Sequence, residues 1–565
     1  MPYAAPEDDL RFLLNNVVGF KTVQETERHA EASGEMVDAI LTEAAKLTTE
    51  VFAPLNRAGD LDGARLENGV VRSTPGFSDA YAQMAEGGWV GISADPEYGG
   101  MGLPFTLNTA VNDMMAGANL ALHLNPLLTQ GQIEALEHHA SEELKALYLP
   151  KLTSGEWTGT MNLTEPQAGS DVGALRTKAE PNGDGTYAIT GQKIYITWGD
   201  HDMAENVVHL VLARLPDGGP GTKGISLFVV PKLLPNDDGN VGVANSLKVV
   251  SLEHKLGLHG SPTAVMQYDG ATGWLVGREH GGMAAMFTMM NNARLGVAAQ
   301  GVGIAEAAYQ HALGYAMERK QGAAPGTGTI AEHADVRRML ARMRADTTAA
   351  RAIALACAVA IDMSHASEDA DWKARAAFLT PIAKAFCTDI GIEIADMGIQ
   401  IHGGMGFVEE TGAAQFYRDV RVTAIYEGTN GIQAMDLVGR KMMDGGEAAY
   451  RLLDEIEAGA EAARGTHPEL GEAVWASAET LRETTEWLVA QGMQDRMAGA
   501  VPYLRAFARV LGAHYHLAAA MADPARLSLA RFYIQRLLPE HASLLEQSRE
   551  GYETLFEVTL DDLVA

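Results

Sequence analysis

Between residues 186 and 270 the chain changes its period. "TYAITGQKIYITWG" (186–199), "VVHLVLARL" (207–215), "KGISLFVVP" (223–231) and "TAVMQYDG" (263–270) are short β-rich runs, divided by clusters of Gly, Pro, Asn and Asp. Such runs build an antiparallel sandwich or barrel. On either side, apolar residues recur at helical spacing instead. In 36–55, Val37, Ile40, Leu41, Ala44, Leu47 and Val51 share one face, with Pro54 placed to end the segment. From about 281 to 440 the chain runs in long Ala-, Met- and Leu-rich stretches. A β-domain enclosed by two helical tracts leaves few architectures open.

Residues 441–565 read as an added helical unit. In "THPELGEAVWASAETLRETTEWLVAQG" (466–492), Thr466 and Glu469 stand at capping-box spacing, and Val474, Ala478, Leu481 and Leu488 form a stripe. The segmentation is then 1–35 as an N-terminal extension, 36–160 helical, 161–280 β, 281–440 helical and 441–565 helical. With 565 residues, 47% of them hydrophobic, the chain has material for several cores.

Charge and composition exclude several function classes. A net charge of −30 opposes sequence-independent nucleic-acid binding, which needs a basic footprint. Residues 441–565 hold 11 Lys and Arg against 20 Asp and Glu, a net of −9, so the tail has no such footprint either. The two cysteines, Cys357 and Cys387, have no CxxC or metal-ligand spacing. "EHHAS" (137–141) and "HYH" (514–516) lack a partner set for a metal, and none is expected. The start, "MPYAAPEDDLRFLL", carries acids where a secretory signal needs basic residues. "AIALACAVAI" (352–361) is half of the roughly 20 residues that cross a bilayer. A soluble, cytoplasmic protein is expected, without nucleic-acid or membrane partners.

Four segments carry chemistry. "MNLTEPQAGSD" (161–171) is a loop with Thr164, Ser170 and Asp171 as polar groups. "GQKIYITWG" (191–199) reads as a strand with Tyr195 and Thr197 on one face. "QIHGGMGF" (400–407) supplies Gly403, Gly404 and Gly406, where backbone approaches a ligand closely. It follows a helical run and so is no Rossmann fingerprint. "YEGTNGIQ" (426–433) places Glu427 among turn formers.

In this order and separation, the four segments resemble the acyl-CoA dehydrogenase family over roughly residues 35–440. The resemblance implies a helical, β-barrel or sandwich, then helical-bundle fold, here with an extra C-terminal helical domain. It implies an FAD flavoprotein, an oxidoreductase that dehydrogenates a CoA thioester between Cα and Cβ. Glu427 is then the catalytic base, taking the α-proton while flavin N5 takes the β-hydride. Its backbone N–H and a ribityl hydroxyl of FAD polarise the thioester oxygen. Leu163, Thr164, Ser170, Tyr195, Thr197, Arg319, Gln400, Gly403, Gly404 and Thr429 are the implied cofactor contacts, with Arg319 and the 400–407 segment reaching FAD across a dimer interface. Ser170, Asn291, Arg294 and Gly428 are implied on the CoA and thioester side, and segments 84–105 and 111–130 as walls of the acyl pocket. Trp198, Gly322, Asn291, Asn430 and Gly431 depart from residues common in relatives.

The tail separates the chain from forms of about 400 residues. Among long forms it most resembles those acting on 3-(methylthio)propanoyl-CoA in dimethylsulfoniopropionate degradation, giving methylthioacryloyl-CoA. A medium- or long-chain fatty acyl-CoA dehydrogenase stays open. So do an oxidase or monooxygenase on the same fold, and a DNA-binding alkylation-response flavoprotein, which the acidic tail opposes. Electron-transfer flavoprotein is the implied electron acceptor, and a homodimer the implied assembly.

Overall fold

The computed structural model describes residues 2–564. By packing, the chain divides into two units. The first comprises the residues up to Ala45, Pro104–Gly117 and the chain from Arg294 onward; the second comprises Lys46–Leu103 and Ala118–Ala293.

The second unit holds the β-domain. Thr263–Val276 pairs with Tyr187–Thr197 on one side and, through its last residues, with Ile225–Pro231. Ile225–Pro231 pairs with Asn206–Arg214, which meets Lys178–Pro181, which pairs back to Tyr187–Thr197. The pairings close on themselves, so a barrel rather than a sandwich forms, filled by Ile189, Ile196, Val211, Phe228, Met266 and Tyr268. Trp157–Asn162 and Leu247–Leu252 extend it at the edges.

The expectation of a purely antiparallel sheet needs correction. Trp157–Asn162 runs parallel to Asn206–Arg214, and Lys178 pairs with Arg214 in the same sense. The strand Trp157–Asn162 also crosses the 160/161 boundary drawn from the sequence. A short hairpin, Arg65–Glu67 with Val70–Arg72, lies in the stretch read as helical.

The first unit is a helical bundle around Ala334–Ala366. Every residue of that helix from Ala345 to Ala360 is buried, the charged Asp346 and Arg351 included. It is long and apolar enough to cross a membrane, but 83% of its apolar window is buried inside the protein. Its neighbours include Ala370–His402 and, from the tail, Ala500–Ala522. Charges at these contacts are paired. Arg351 reaches Asp113 at 2.6 Å and Glu306 at 2.9 Å. Arg509 pairs with Asp346 and, at 2.5 Å, with Glu540. The acidic tail thus packs on its own chain.

Two local expectations fail. Pro54 does not end its segment: Gly34–Leu47 passes through a π-helical turn, Thr48–Phe52, into Ala53–Leu61, where Pro54 occupies the first turn. The wide π turn just before it is where the helical ladder accommodates the missing N–H. Thr466 caps no helix. Pro468–Ala490 begins behind His467, with proline at its first position and no side-chain cap. The stripe Val474, Ala478, Leu481 and Leu488 is buried throughout.

Candidate active site

The stretch before Glu427 is a tight helical turn, Arg421–Ala424, and the stretch after it begins a new helix, Asn430–Asp436. Between them the backbone turns left-handed twice, with φ +55° at Glu427 and +83° at Gly428. The second position demands glycine: a Cβ there would lie 2.8 Å from Gln433 Nε2. Thr429 then caps the new helix, its hydroxyl accepting from Ile432 N–H at 3.3 Å. Two side chains hold the turn's carbonyls. Gln433 Nε2 donates to Glu427 O at 3.1 Å, and Lys384 Nζ donates to Gly428 O at 2.9 Å. Tyr426 is fixed through its hydroxyl to Gln300. A glutamate in this conformation is strained, and such strain concentrates at working sites.

Burial pushes the Glu427 carboxyl up to about 7, against the opposing pull of Arg294 and then Lys384. Arg294 is buried, with Asp436 at 3.7 Å. The first unit therefore brings Glu427, Gly428 and Arg294 together. Lys384, Gln433 and Asn430 complete the group, and sequence reading missed all three. The signal for Lys384 was a lone lysine in the apolar run "TPIAKAFC" (380–387). Asn430, read as a departure from relatives, has an internal duty. Its amide donates to Asp389 at 2.6 Å, Thr388 at 2.9 Å and Ala385 O at 3.2 Å.

Other predicted residues of this unit stand apart from that group. Arg319 is exposed beyond its helix, near Gln321. Gln400, Gly403 and Gly404 are exposed where Ala370–His402 ends. The three glycines divide by role. Gly403 has φ +60°, and a Cβ added to it or to Gly404 would meet no atom within 4 Å, whereas a Cβ on Gly406 would strike Ile399 O at 2.2 Å. Gly403 and Gly404 leave open backbone for a ligand, and Gly406 serves internal packing.

In the second unit the 161–171 loop is tied to the Tyr195 strand. Lys193, with no exposed surface, donates to Leu163 O and to Glu165, each at 2.9 Å. Glu165 also accepts from Arg176 N–H at 2.7 Å and Thr177 N–H at 3.0 Å, and Ile194 N–H donates to Thr164 O at 2.9 Å. Leu163 is buried, Thr164 half-buried and Ser170 exposed. Tyr195 and Thr197 both stand opposite the buried Ile196, but Lys193 is buried too. The strand carries an extra residue between Lys193 and Ile196 relative to its partner, and Tyr195 takes it up with φ +60° and 61% exposure. Trp198, also at positive φ, is buried and donates its indole N–H to Ala121 O at 3.1 Å. Asn291 is exposed and belongs to this unit, while Arg294 belongs to the other.

In the second unit, the open polar loop with Thr164 and Ser170 and the exposed aromatic ring on a bulge fit the flat ring of FAD. In the first, the open glycine backbone fits a diphosphate. Among the described residues no group of three His, Cys, Asp or Glu could hold a metal ion.

Comparison with known proteins agrees along the length of the chain. The acyl-CoA dehydrogenase N-terminal domain matches residues 37–156, the middle domain 160–271 and the C-terminal domain 280–443. An acetyl-CoA dehydrogenase C-terminal-like domain matches 452–559. A 3-methylmercaptopropionyl-CoA dehydrogenase of Ruegeria pomeroyi is 48% identical over 523 residues, covering 89% of this chain and 88% of that one. A butyryl-CoA dehydrogenase of Syntrophomonas wolfei is 36% identical, covering 79% of this chain and 77% of its own. Caenorhabditis elegans ACDH-11, solved in complex with C11-CoA, shares the fold at a TM-score of 0.80 and 22% identity, over 95% of this chain and 92% of that one. The chain belongs to the acyl-CoA dehydrogenase family and is an FAD-dependent oxidoreductase of acyl-CoA thioesters.

Proposed function

We propose that this enzyme dehydrogenates 3-(methylthio)propanoyl-CoA to methylthioacryloyl-CoA, a step of dimethylsulfoniopropionate degradation. The observation that carries the substrate is the 48% identity, over 89% of the chain, to a dehydrogenase named for that thioester.

Glu427 is the base. Its carboxyl, pushed up to about 7, is matched to proton abstraction near neutral pH. An acyl chain laid against it removes more water and raises its basicity further. The Glu427 N–H polarises the thioester oxygen, while Gly428, at φ +83°, keeps the backbone slim beside it. FAD, when bound, supplies the acceptor for the hydride leaving Cβ as the Cα–Cβ double bond forms. Leu163, Thr164, Ser170, Tyr195 and Thr197 would hold its ring side. Thr429 would meet the same cofactor, Arg319, Gln400, Gly403 and Gly404 would reach FAD across a dimer interface, and Asn291 and Arg294 serve the CoA side. A homodimer is supported by Phe407, 89% exposed beside the open glycines. Reoxidation falls to an electron-transfer flavoprotein, in the cytoplasm where CoA thioesters are handled.

The test is kcat/KM for 3-(methylthio)propanoyl-, butanoyl-, octanoyl- and palmitoyl-CoA with a one-electron acceptor. The methylthio compound is expected to lead. Preference for butanoyl- or palmitoyl-CoA would keep the family and reject the substrate.

A further inference from the structure

We infer that Lys384 is a positioning residue for the base: its buried amine ties down the left-handed turn that carries Glu427 and, while protonated, places a positive charge near that carboxylate. The inference rests on Glu427 being the base and deepens that reading.

A turn with two successive left-handed residues, the first of them not glycine, needs external support. Lys384 provides it at two points, donating to Gly428 O at 2.9 Å and to Asn430 Oδ1 at 2.8 Å. Asn430 in turn is held by Ala385 O, Thr388 and Asp389. The anchors therefore sit on successive turns of one helix, Ala370–His402, and meet the chain on both sides of Thr429.

Packing alone does not account for a lysine here. Its side chain has no exposed surface, and both of its hydrogen-bond acceptors are neutral oxygens. A buried ammonium with neutral acceptors is costly, and a neutral amide would serve those oxygens. The charge finds its use in Glu427. Burial pushes Lys384 down to about 8, and the charge of Glu427 and then of Asp389 pulls it back up. In return Lys384 favours the ionised carboxylate, the form that accepts a proton.

Other charged groups face this site. Arg294, from the helix Gly282–Glu318, adds its own positive charge and has Asp436 at 3.7 Å. Arg440 and Lys441, beyond Asp436, act on Arg294, and Tyr426 feels the carboxylate directly. Asp389 opposes Lys384 but is hydrogen-bonded to Asn430.

The test compares wild type, K384Q, K384R, N430S and E427Q in anaerobic flavin reduction by acyl-CoA from pH 5.5 to 9.5. FAD content and thermal melting are recorded for each. The base works ionised, so the wild-type rate rises with pH through the carboxyl's midpoint. Losing a nearby positive charge raises that midpoint, here by about one unit. K384Q is expected to move the acidic limb up by about one pH unit, so that it is about tenfold slower at pH 6.5 and much closer to wild type at pH 9. K384R is expected to keep the wild-type midpoint. N430S, which loosens the anchor and keeps the charge, should slow the reaction evenly at all pH values. Three results overturn the inference: an even slowing in K384Q, a midpoint shift in K384R equal to that of K384Q, or a K384Q protein that does not fold, which would assign Lys384 to stability. The base assignment fails separately, if E427Q still reduces its flavin. An inert E427Q with a wild-type profile in K384Q sinks only the role of Lys384.

Discussion

Replacing Lys193 by methionine separates a stabilising charge from a merely buried one. Lys193 and Glu165 form a pair with 0% and 4% side-chain exposure, and it joins the 161–171 loop to the Tyr195 strand. Burial raises the Glu165 carboxyl, but Lys193, Thr177 and the Arg176 N–H outweigh it and hold it at about 2. Burial pushes Lys193 down to about 8 against the pull of Glu165. The depressed carboxyl contributes about 3 kcal/mol, present above its ordinary range near pH 4.5 and lost as pH falls toward 2. The depressed lysine costs about 3 kcal/mol, in full below pH 8 and relieved as pH rises toward 10.5. The attraction between the two groups is common to both shifts, so the shifts are not additive; with both charges buried, the pair adds little net stability and its effect is to fix the loop. Removing one partner is different. K193M leaves a buried carboxylate without its cation, at a cost of about 3–5 kcal/mol. Urea unfolding at pH 7, followed by fluorescence of the buried Trp157 and Trp198 of the same unit, measures it. K193M/E165Q should recover at least half of the loss, and K193M alone should purify with reduced FAD. A loss below about 1 kcal/mol with full FAD would show that the N–H donors hold Glu165 unaided, and would refute this reasoning.

Gly428→Ala places a methyl 2.8 Å from Gln433 Nε2 at a φ of +83°, and is expected to lower flavin reduction at least tenfold with FAD content unchanged. Wild-type activity there would mean that the turn is not constrained. Arg509→Met removes one of two cationic partners from each of Asp346 and Glu540, which keep Arg342 and Arg505, and should cost about 1–3 kcal/mol and open the tail helices to limited proteolysis. An unchanged melting profile and digest would contradict it. With the Glu427 carboxyl at about 7 in the free enzyme, the second-order rate of flavin reduction, at acyl-CoA below saturation, should rise about tenfold from pH 6 to pH 8. A flat profile would show that another group accepts the proton.

The order of domains was legible because period reports burial. The β runs show period 2 or continuous apolar character and the flanking helices show helical spacing, and neither depends on distant contacts. Proline and capping positions were less legible. Pro54 fits a first helical turn as well as it fits an ending, and Pro468 set the start of its helix in place of Thr466. The parallel pairing of Trp157–Asn162 leaves no local trace, since it joins segments about 50 residues apart. At the site, Glu427 was readable from its motif, whereas its support was not. Lys384 lies 43 residues upstream of it on another helix, and only the packed bundle brings the two together. Asn430 reads in the sequence only as a departure from relatives, yet its amide donates to Asp389.

The central claim is that Glu427 takes the α-proton. Its most direct test is the anaerobic loss of flavin absorbance on mixing with 3-(methylthio)propanoyl-CoA, in wild type and in Glu427→Gln with matched FAD content. The account predicts a rate about 10³-fold lower in the variant. A variant within about fivefold of wild type would lie below the smallest contribution expected of a general base, and would contradict it.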